Sequence, residues 1–295
     1  MNRMFFIDPN AHAARQAAAW EETRPEDAAL MTKLATHPQA DWFGDWTREP
    51  ELEIGARVTQ ITGVGALPIL VFYTIPYRDC GFYSAGGAND PASYRAWMEA
   101  AAAGIGERPA VVILEPDALT LTDCLTVAQT IERYDLLRFA IDVLEGLPQT
   151  DVYIDAGNAT WLAPGEAAAR LDRAGIAQAT GFALNVANFH PTPASTVYGH
   201  AVSAAITTRD TTPFVIDTSR NGNGPWETDD AEAWCNPPGR ALGHPPTTDT
   251  GDDLVDAWLW IKVPGESDGE CRGHPPAGQW DPEYALELVR NANLA

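Results

Sequence analysis

Positive charge is scarce in this chain. Nineteen Lys and Arg residues stand against 41 Asp and Glu, a formal net charge of −22 over 295 residues. Nucleic acid, whose phosphates need a basic face, is therefore excluded as a partner. An anionic membrane surface or an acidic polysaccharide is disfavoured by the same repulsion, and a neutral polymer stays compatible. Long apolar runs are missing too: none approaches the roughly 20 residues that span a bilayer. No Ser/Thr/Pro-rich or Gly-rich linker and no repeat divides the sequence, so residues 1–295 are expected to form one domain. Cysteine is sparse, with Cys80, Cys124, Cys235 and Cys271 alone. None forms a CxxC pair or stands at zinc-finger spacing from a His, which argues against structural zinc. An even number at wide spacing suits two disulfides in an oxidising compartment; four buried reduced thiols are the alternative. The start, Met1-Asn2-Arg3-Met4-Phe5-Phe6-Ile7-Asp8-Pro9, has no apolar segment of signal-peptide length. A secreted protein would already have lost its signal.

Hydrophobic residues make up 45% of the chain, enough for a sizeable core. Short apolar runs rich in β-branched residues occur at Ile69–Ile75, Ala110–Leu114, Val152–Ile154, Gly181–Val186, Phe214–Ile216 and Ala257–Val263. They read as buried parallel strands. Segments with helical spacing lie between several of them, from Tyr94 onward, from Leu125 to Leu144 and from Ala194 to Ile206. Strand alternating with helix implies an α/β sheet, open or closed into a barrel. Polar residues follow the strands: Asp79, then Glu115 and Asp117, then Asp155, Asn185 and Asn188, Asp217, and finally Lys262, Glu266 and Asp268. In a barrel those strand ends form the active-site face. Carboxylates or amides after every strand are hard to read as surface decoration.

Two segments carry the chemistry. Val71-Phe72-Tyr73-Thr74-Ile75-Pro76-Tyr77-Arg78-Asp79-Cys80 brings an Arg and an Asp off a buried strand together. Val111-Val112-Ile113-Leu114-Glu115-Pro116-Asp117 delivers two carboxylates around a proline, which fixes where the chain leaves the sheet. One of the two carboxylates can be structural, bonded to backbone N–H groups. Carboxyl groups converging in one cleft cannot all ionise freely, so the less solvated member keeps its proton and can act as a general acid. Glycosidases need that proton for the leaving alkoxide.

With these motifs the sequence resembles glycoside hydrolase family 6, the cellulases. The resemblance runs through Phe6-Ile7-Asp8-Pro9-Asn10, Tyr77-Arg78-Asp79-Cys80-Gly81, Leu114-Glu115-Pro116-Asp117, Tyr153-Ile154-Asp155-Ala156-Gly157, Ile216 to Gly224 and Trp260 to Gly269. It implies a distorted, partly open β/α barrel with about seven parallel strands, TIM-like. It implies Asp117 as general acid, and Asp79 as the neighbour that keeps Asp117 protonated. Asp268 is the carboxylate proposed as base, a role that a chain of waters could share. Tyr73 would crowd the sugar ring. Asp155, Lys262 and Glu266 would bind glucosyl units, and Trp42, Trp161 and Trp234 would serve as sugar platforms. Asn188 joins the substrate-binding set, as does Asn158, which stands where family members often have His. The serine that helps hold the catalytic water falls on Ser84, or on Ala85 in a second register; Ser84 is the choice taken here. The cysteines would pair as Cys80–Cys124 and Cys235–Cys271.

The activity so implied is inverting, endo-acting hydrolysis of β-1,4-glucan by a secreted, monomeric single-domain catalyst with no cofactor, no metal and no membrane partner. An exo-acting cellobiohydrolase would need long loops roofing the cleft, and Asp268 to Trp280 and Asn188 to Val202 are brief. A non-catalytic glucan-binding barrel would be expected to have lost Asp79 or Asp117. A metal-dependent barrel enzyme binding Mg²⁺ or Ca²⁺ would be expected to carry a phosphate-binding glycine loop.

Overall fold

A computed structural model describes residues 4–292. Seven strands form one parallel sheet in chain order: β1 (Asp41–Gly44), β2 (Ile69–Tyr73), β3 (Ala110–Leu114), β4 (Thr150–Asp155), β5 (Gly181–Leu184), β6 (Phe214–Asp217) and β7 (Val255–Leu259). The α-helices among the described residues are α1 (His12–Trp20), α2 (Pro25–Ala35), α3 (Pro50–Thr62), α4 (Pro91–Ile105), α5 (Val127–Glu145), α6 (Pro164–Ala174), α7 (Thr192–Ala205) and α8 (Pro282–Asn291).

Every residue of β2 and β3 is buried, because alternate side chains point to opposite faces and both faces are covered. Ile69, Val71, Val111 and Ile113 meet Tyr153, Ala183, Val215 and Ala257 on the inside of the curled sheet. Leu70, Phe72, Val112 and Leu114 face outward under helix residues such as Ile54, Met98, Leu137 and Val202. A third cluster joins α1, α2 and α8 beneath Trp260. Among the described residues β1 and β7 share no strand ladder. The seam between them is stitched instead by Ala40 N–H donating to Trp260 O at 3.0 Å and by the Trp42 indole N–H donating to Ile261 O at 2.7 Å. The architecture is thus a distorted α/β barrel of seven parallel strands, open along one side.

The apolar runs locate six of these strands. They miss β1, whose Asp41-Trp42-Phe43-Gly44 has no β-branched residue and becomes a strand through its register with β2, Trp42 beside Val71 and Phe43 beside Phe72. The final run also overreaches. The strand stops at Leu259, and the next residues turn away because Ile261 N–H and Lys262 N–H donate to the Asp217 carboxylate, at 3.3 and 2.9 Å. Local caps set the helix starts: α4 begins before its apolar pattern, where Asp90 accepts from Ser93 N–H ahead of Pro91, and α5 begins just inside its pattern, where Thr126 with Gln129 forms a capping box.

Two disulfides tie loops at the same end of the sheet. Cys80–Cys124 joins the segments after β2 and β3, and Cys235–Cys271 those after β6 and β7. They span 44 and 36 residues. In the chain-entropy account a loop of that size contributes roughly 4 kcal/mol by constraining the unfolded chain. Replacing Cys80 and Cys124 together by serine should therefore move the urea midpoint clearly downward. An unchanged midpoint with an unchanged slope would mean the loops are held by packing alone.

Candidate active site

Where a parallel ladder ends, its last N–H groups still need acceptors. Here carboxylates supply them. Glu115, fully buried at the end of β3, accepts from Thr74 N–H and Ile75 N–H as the chain leaves β2, with its closest contacts at 2.9 Å. Asp155, at the end of β4, accepts from Asp117 N–H at 2.8 Å. Asp217, at the end of β6, accepts from Ala187 N–H after β5 and from Ile261 and Lys262 N–H after β7. Part of the acidic pattern that follows the strands is therefore architecture. The clamps hold the backbone in unusual shapes: Asp79, Glu115, Asp117 and Asn185 have φ of 57°, 50°, 68° and 66°. Non-glycine residues adopt that left-handed region at a cost, and it persists where surroundings enforce it.

Asp117 emerges at the centre of this framework. It keeps partial contact with solvent, and the Tyr73 hydroxyl donates to its Oδ2 at 3.4 Å. Burial, then the charges of Asp79 and Asp268, push its pKa up to about 7 against the opposing Tyr73 hydrogen bond. Asp79 is also raised, by burial, and its Oδ2 accepts from Ser84 N–H at 2.7 Å. Asp155 is raised further, by burial and by the charge of Asp117. A group of this kind stays protonated into the neutral range and can deliver a proton.

Asp268 approaches from the β7 side. It accepts from the fully buried Arg220 guanidinium at 2.8 Å and from Asn236 N–H at 3.0 Å, with Lys262 Nζ 3.9 Å away. Lys262 also donates to Ser267 O at 3.3 Å, and burial pulls its pKa down. Burial raises Glu266 to about 7.

A cleft of about 820 Å³ opens beside these groups, and its wall includes Trp42, Tyr73, Ser84, Lys262 and Glu266. Trp42 meets the Tyr73 ring edge-on at 5.5 Å. Asp79, Asp117, Asp155, Asn158, Trp161, Asn188, Trp234 and Asp268 are not part of that wall; Tyr73 is the link between the cleft and Asp117. Trp161 and Trp234 are 41% and 39% exposed. Gly157 lies under Trp161, where a Cβ would fall 2.9 Å from the indole. Asn158 is buried and accepts from Thr160 N–H at 3.0 Å. Asn188 donates to Val186 O at 2.9 Å. Ser84 is engaged through its backbone, its carbonyl accepting from Arg78.

Loop lengths alone do not reveal Tyr83. Its hydroxyl donates to Glu232 at 2.9 Å, its ring lies 6.0 Å from that of Trp234, and it covers Gly269 so closely that a Cβ there would sit 2.3 Å from it. The segment after β2 thus reaches across to those after β6 and β7. Trp46, 53% exposed in the cleft wall, is likewise not revealed by the sequence, because β1 ahead of it carries no strand pattern. Among the described residues no three His, Cys, Asp or Glu side chains are placed to hold a metal ion.

Comparison with known proteins adds four findings. The family model described as Glycosyl hydrolases family 6 matches residues 1–292. The chain is 43% identical over 291 residues to Endoglucanase A of Cellulomonas fimi, covering 98% of this chain and 61% of that one. It is 44% identical over 298 residues to Endoglucanase 1 of Streptomyces halstedii, covering 98% and 89%. Among solved structures it is similar to an endoglucanase from Mycobacterium tuberculosis in complex with methyl-cellobiosyl-4-deoxy-4-thio-β-D-cellobioside. That likeness has a TM-score of 0.92 at 43% identity, over 99% of this chain and 98% of the other.

The raised carboxyls make stability depend on pH. Glu115, Asp117 and Glu266 move from ordinary values of 4.5, 3.8 and 4.5 up to about 7. Between those limits the folded chain binds more protons than the unfolded one, so stability falls as pH rises. The thermal midpoint should therefore drop between about pH 5 and about pH 7, and Asp117→Asn should flatten the slope. A midpoint that rises across this window would contradict the buried-carboxyl account.

Proposed function

The chain belongs to family 6 of the glycosyl hydrolases, and we propose that it cuts internal β-1,4-glucosidic bonds of cellulose and related β-glucans with inversion of configuration. The observation that carries this reading is the junction of Tyr73 and Asp117. A carboxyl kept protonated by burial and by Asp79 stands one hydrogen bond from a ring that faces an aromatic-lined cleft.

Asp117 donates its proton to the glycosidic oxygen as the bond breaks. Tyr73 crowds the ring whose anomeric carbon is attacked. Water, held near Ser84, attacks from the opposite face. Asp268, oriented by Arg220 and Asn236 N–H, draws off the water's proton directly or through further waters. Trp42, Trp161 and Trp234 stack on sugar faces, while Asp155, Asn158, Asn188, Lys262 and Glu266 bind hydroxyls. No cofactor enters any of these steps. A chain can enter the cleft from the side because the contact that joins the loops over this end of the sheet, Tyr83 to Glu232, is a single exposed hydrogen bond. The exo-acting alternative would need that bridge to stay shut. Two disulfides suit secretion into an oxidising compartment, and no helix among the described residues is long and apolar enough to cross a membrane.

Substituted soluble cellulose should lose viscosity well before reducing ends accumulate, in the presence of EDTA as in its absence. Proton NMR of fresh hydrolysate should show the α-anomer first. Asp117→Asn should abolish polymer cleavage while sparing much of the rate on a substrate with a good leaving group. Early β-anomer would overturn inversion, and cellobiose as almost the only initial product would favour the exo-acting alternative.

A further inference from the structure

The cleft does not end at Trp42. Asp117 follows β3, Tyr73 ends β2 and Trp42 lies in β1, so Trp42 is one strand farther from the acid than Tyr73 is. With the reacting ring at Tyr73, as in the proposed function, a next unit toward the non-reducing end would rest at Trp42. The cleft wall then continues to His12, Arg15, His37 and Gln39, which the catalytic reading leaves without a role.

His12 is the built part of this extension. Its ring lies flat on Trp280, 5.3 Å between centroids and 12° between planes. Arg15 donates to its Nδ1 at 3.1 Å. A guanidinium has only donors, so Nδ1 must accept and the neutral ring carries its proton on Nε2. That nitrogen stands 4.0 Å from Glu266 Oε1, too far for a direct hydrogen bond. Burial and Arg15 lower the His12 pKa and burial raises that of Glu266, so the two resist collapsing into an ion pair. A fixed donor therefore faces a carboxyl oxygen across a gap on the cleft wall. A hydroxyl, which accepts one hydrogen bond and donates another, suits such a gap.

We propose that His12 and Glu266 together read one hydroxyl of a third glucosyl unit on the non-reducing side of the scissile bond, which makes this end of the cleft a further subsite. The inference rests on the endoglucanase reading above and names a contact beyond it.

The test compares kcat/KM on cellopentaose and cellotetraose. Cellopentaose can fill the third unit while keeping two units beyond the cut, and cellotetraose cannot. For the wild-type chain the ratio should be roughly threefold to tenfold in favour of cellopentaose, the span of one net hydrogen bond. With the reducing end labelled by ¹⁸O, the labelled product should be cellobiose. His12→Phe keeps a ring on Trp280 but loses the N–H, and its ratio should fall to about one. His12→Gln restores a donor and should recover part of the preference. A ratio left at the wild-type value in His12→Phe, or a wild-type ratio already near one, would overturn the subsite. So would equal losses on both oligosaccharides, which would place the contact on the second unit. If the wild-type chain releases sugar from neither, the failure belongs to the endoglucanase reading instead.

Discussion

Glu115, Asp155 and Asp217 each sit at the end of a strand and accept N–H groups from chain that is leaving a neighbouring strand. A parallel ladder cannot satisfy those groups once the strands diverge, and a buried N–H without an acceptor costs more than the ladder bond it lost. Each clamp also fixes the direction in which a loop departs. Glu115 directs the segment that carries Asp79, Asp155 directs Asp117 itself, and Asp217 holds the segments after β5 and β7 at once. The arrangement of the site depends on these three carboxylates before it depends on any group that would touch sugar.

The clamps have an electrostatic consequence. Carboxylates placed under the strand ends add negative charge to a region that already holds Asp79, Asp117 and Asp268. Burial raises Glu115, Asp155 and Asp217, and the charge of Asp117 raises Asp155 further. The positive counterparts are unevenly shared: Arg78 acts on Asp79 and Glu115. Arg220 and Lys262 both face Asp268, while among the charges that act on Asp117 the leading ones are the like charges of Asp79 and Asp268. Two carboxyls in one site therefore sit in opposite surroundings, one crowded by acids and one paired with cations. Separation of roles by surroundings is what acid-assisted hydrolysis requires.

Covalent and aromatic contacts hold the loops that the clamps launch. Each disulfide links two of them, and Tyr83 adds an exposed bridge from the segment after β2 to Glu232 and Gly269 in those after β6 and β7. The two kinds of tie differ in strength. Cys80–Cys124 ties the segment that carries Asp79 to the one that follows Asp117, whereas the tyrosine bridge is a single exposed hydrogen bond.

The sequence by itself was enough for six of the seven strands, the alternating helices and the rule that polar residues gather after the strands. Apolar runs buried on both faces have no other soluble reading, and strand-end position is a property of the chain alone. Motif order was enough for the family and for the cysteine pairing. It was not enough for β1, which is a strand because Val71 and Phe72 stand beside it, nor for the end of β7, which Asp217 terminates from another strand. Nor, without the resemblance, could residue pattern sort the acids. Glu115 and Asp117 are two residues apart and chemically alike, yet one is fully buried against backbone N–H groups and the other meets Tyr73 beside a cleft. Tyr83 meeting Glu232 and His12 facing Glu266 join residues 149 and 254 positions apart. Local pattern specifies what each strand is and which residue follows it. Which acid is clamped and which is free depends on partners brought from distant parts of the chain, and only the closing of the sheet decides those.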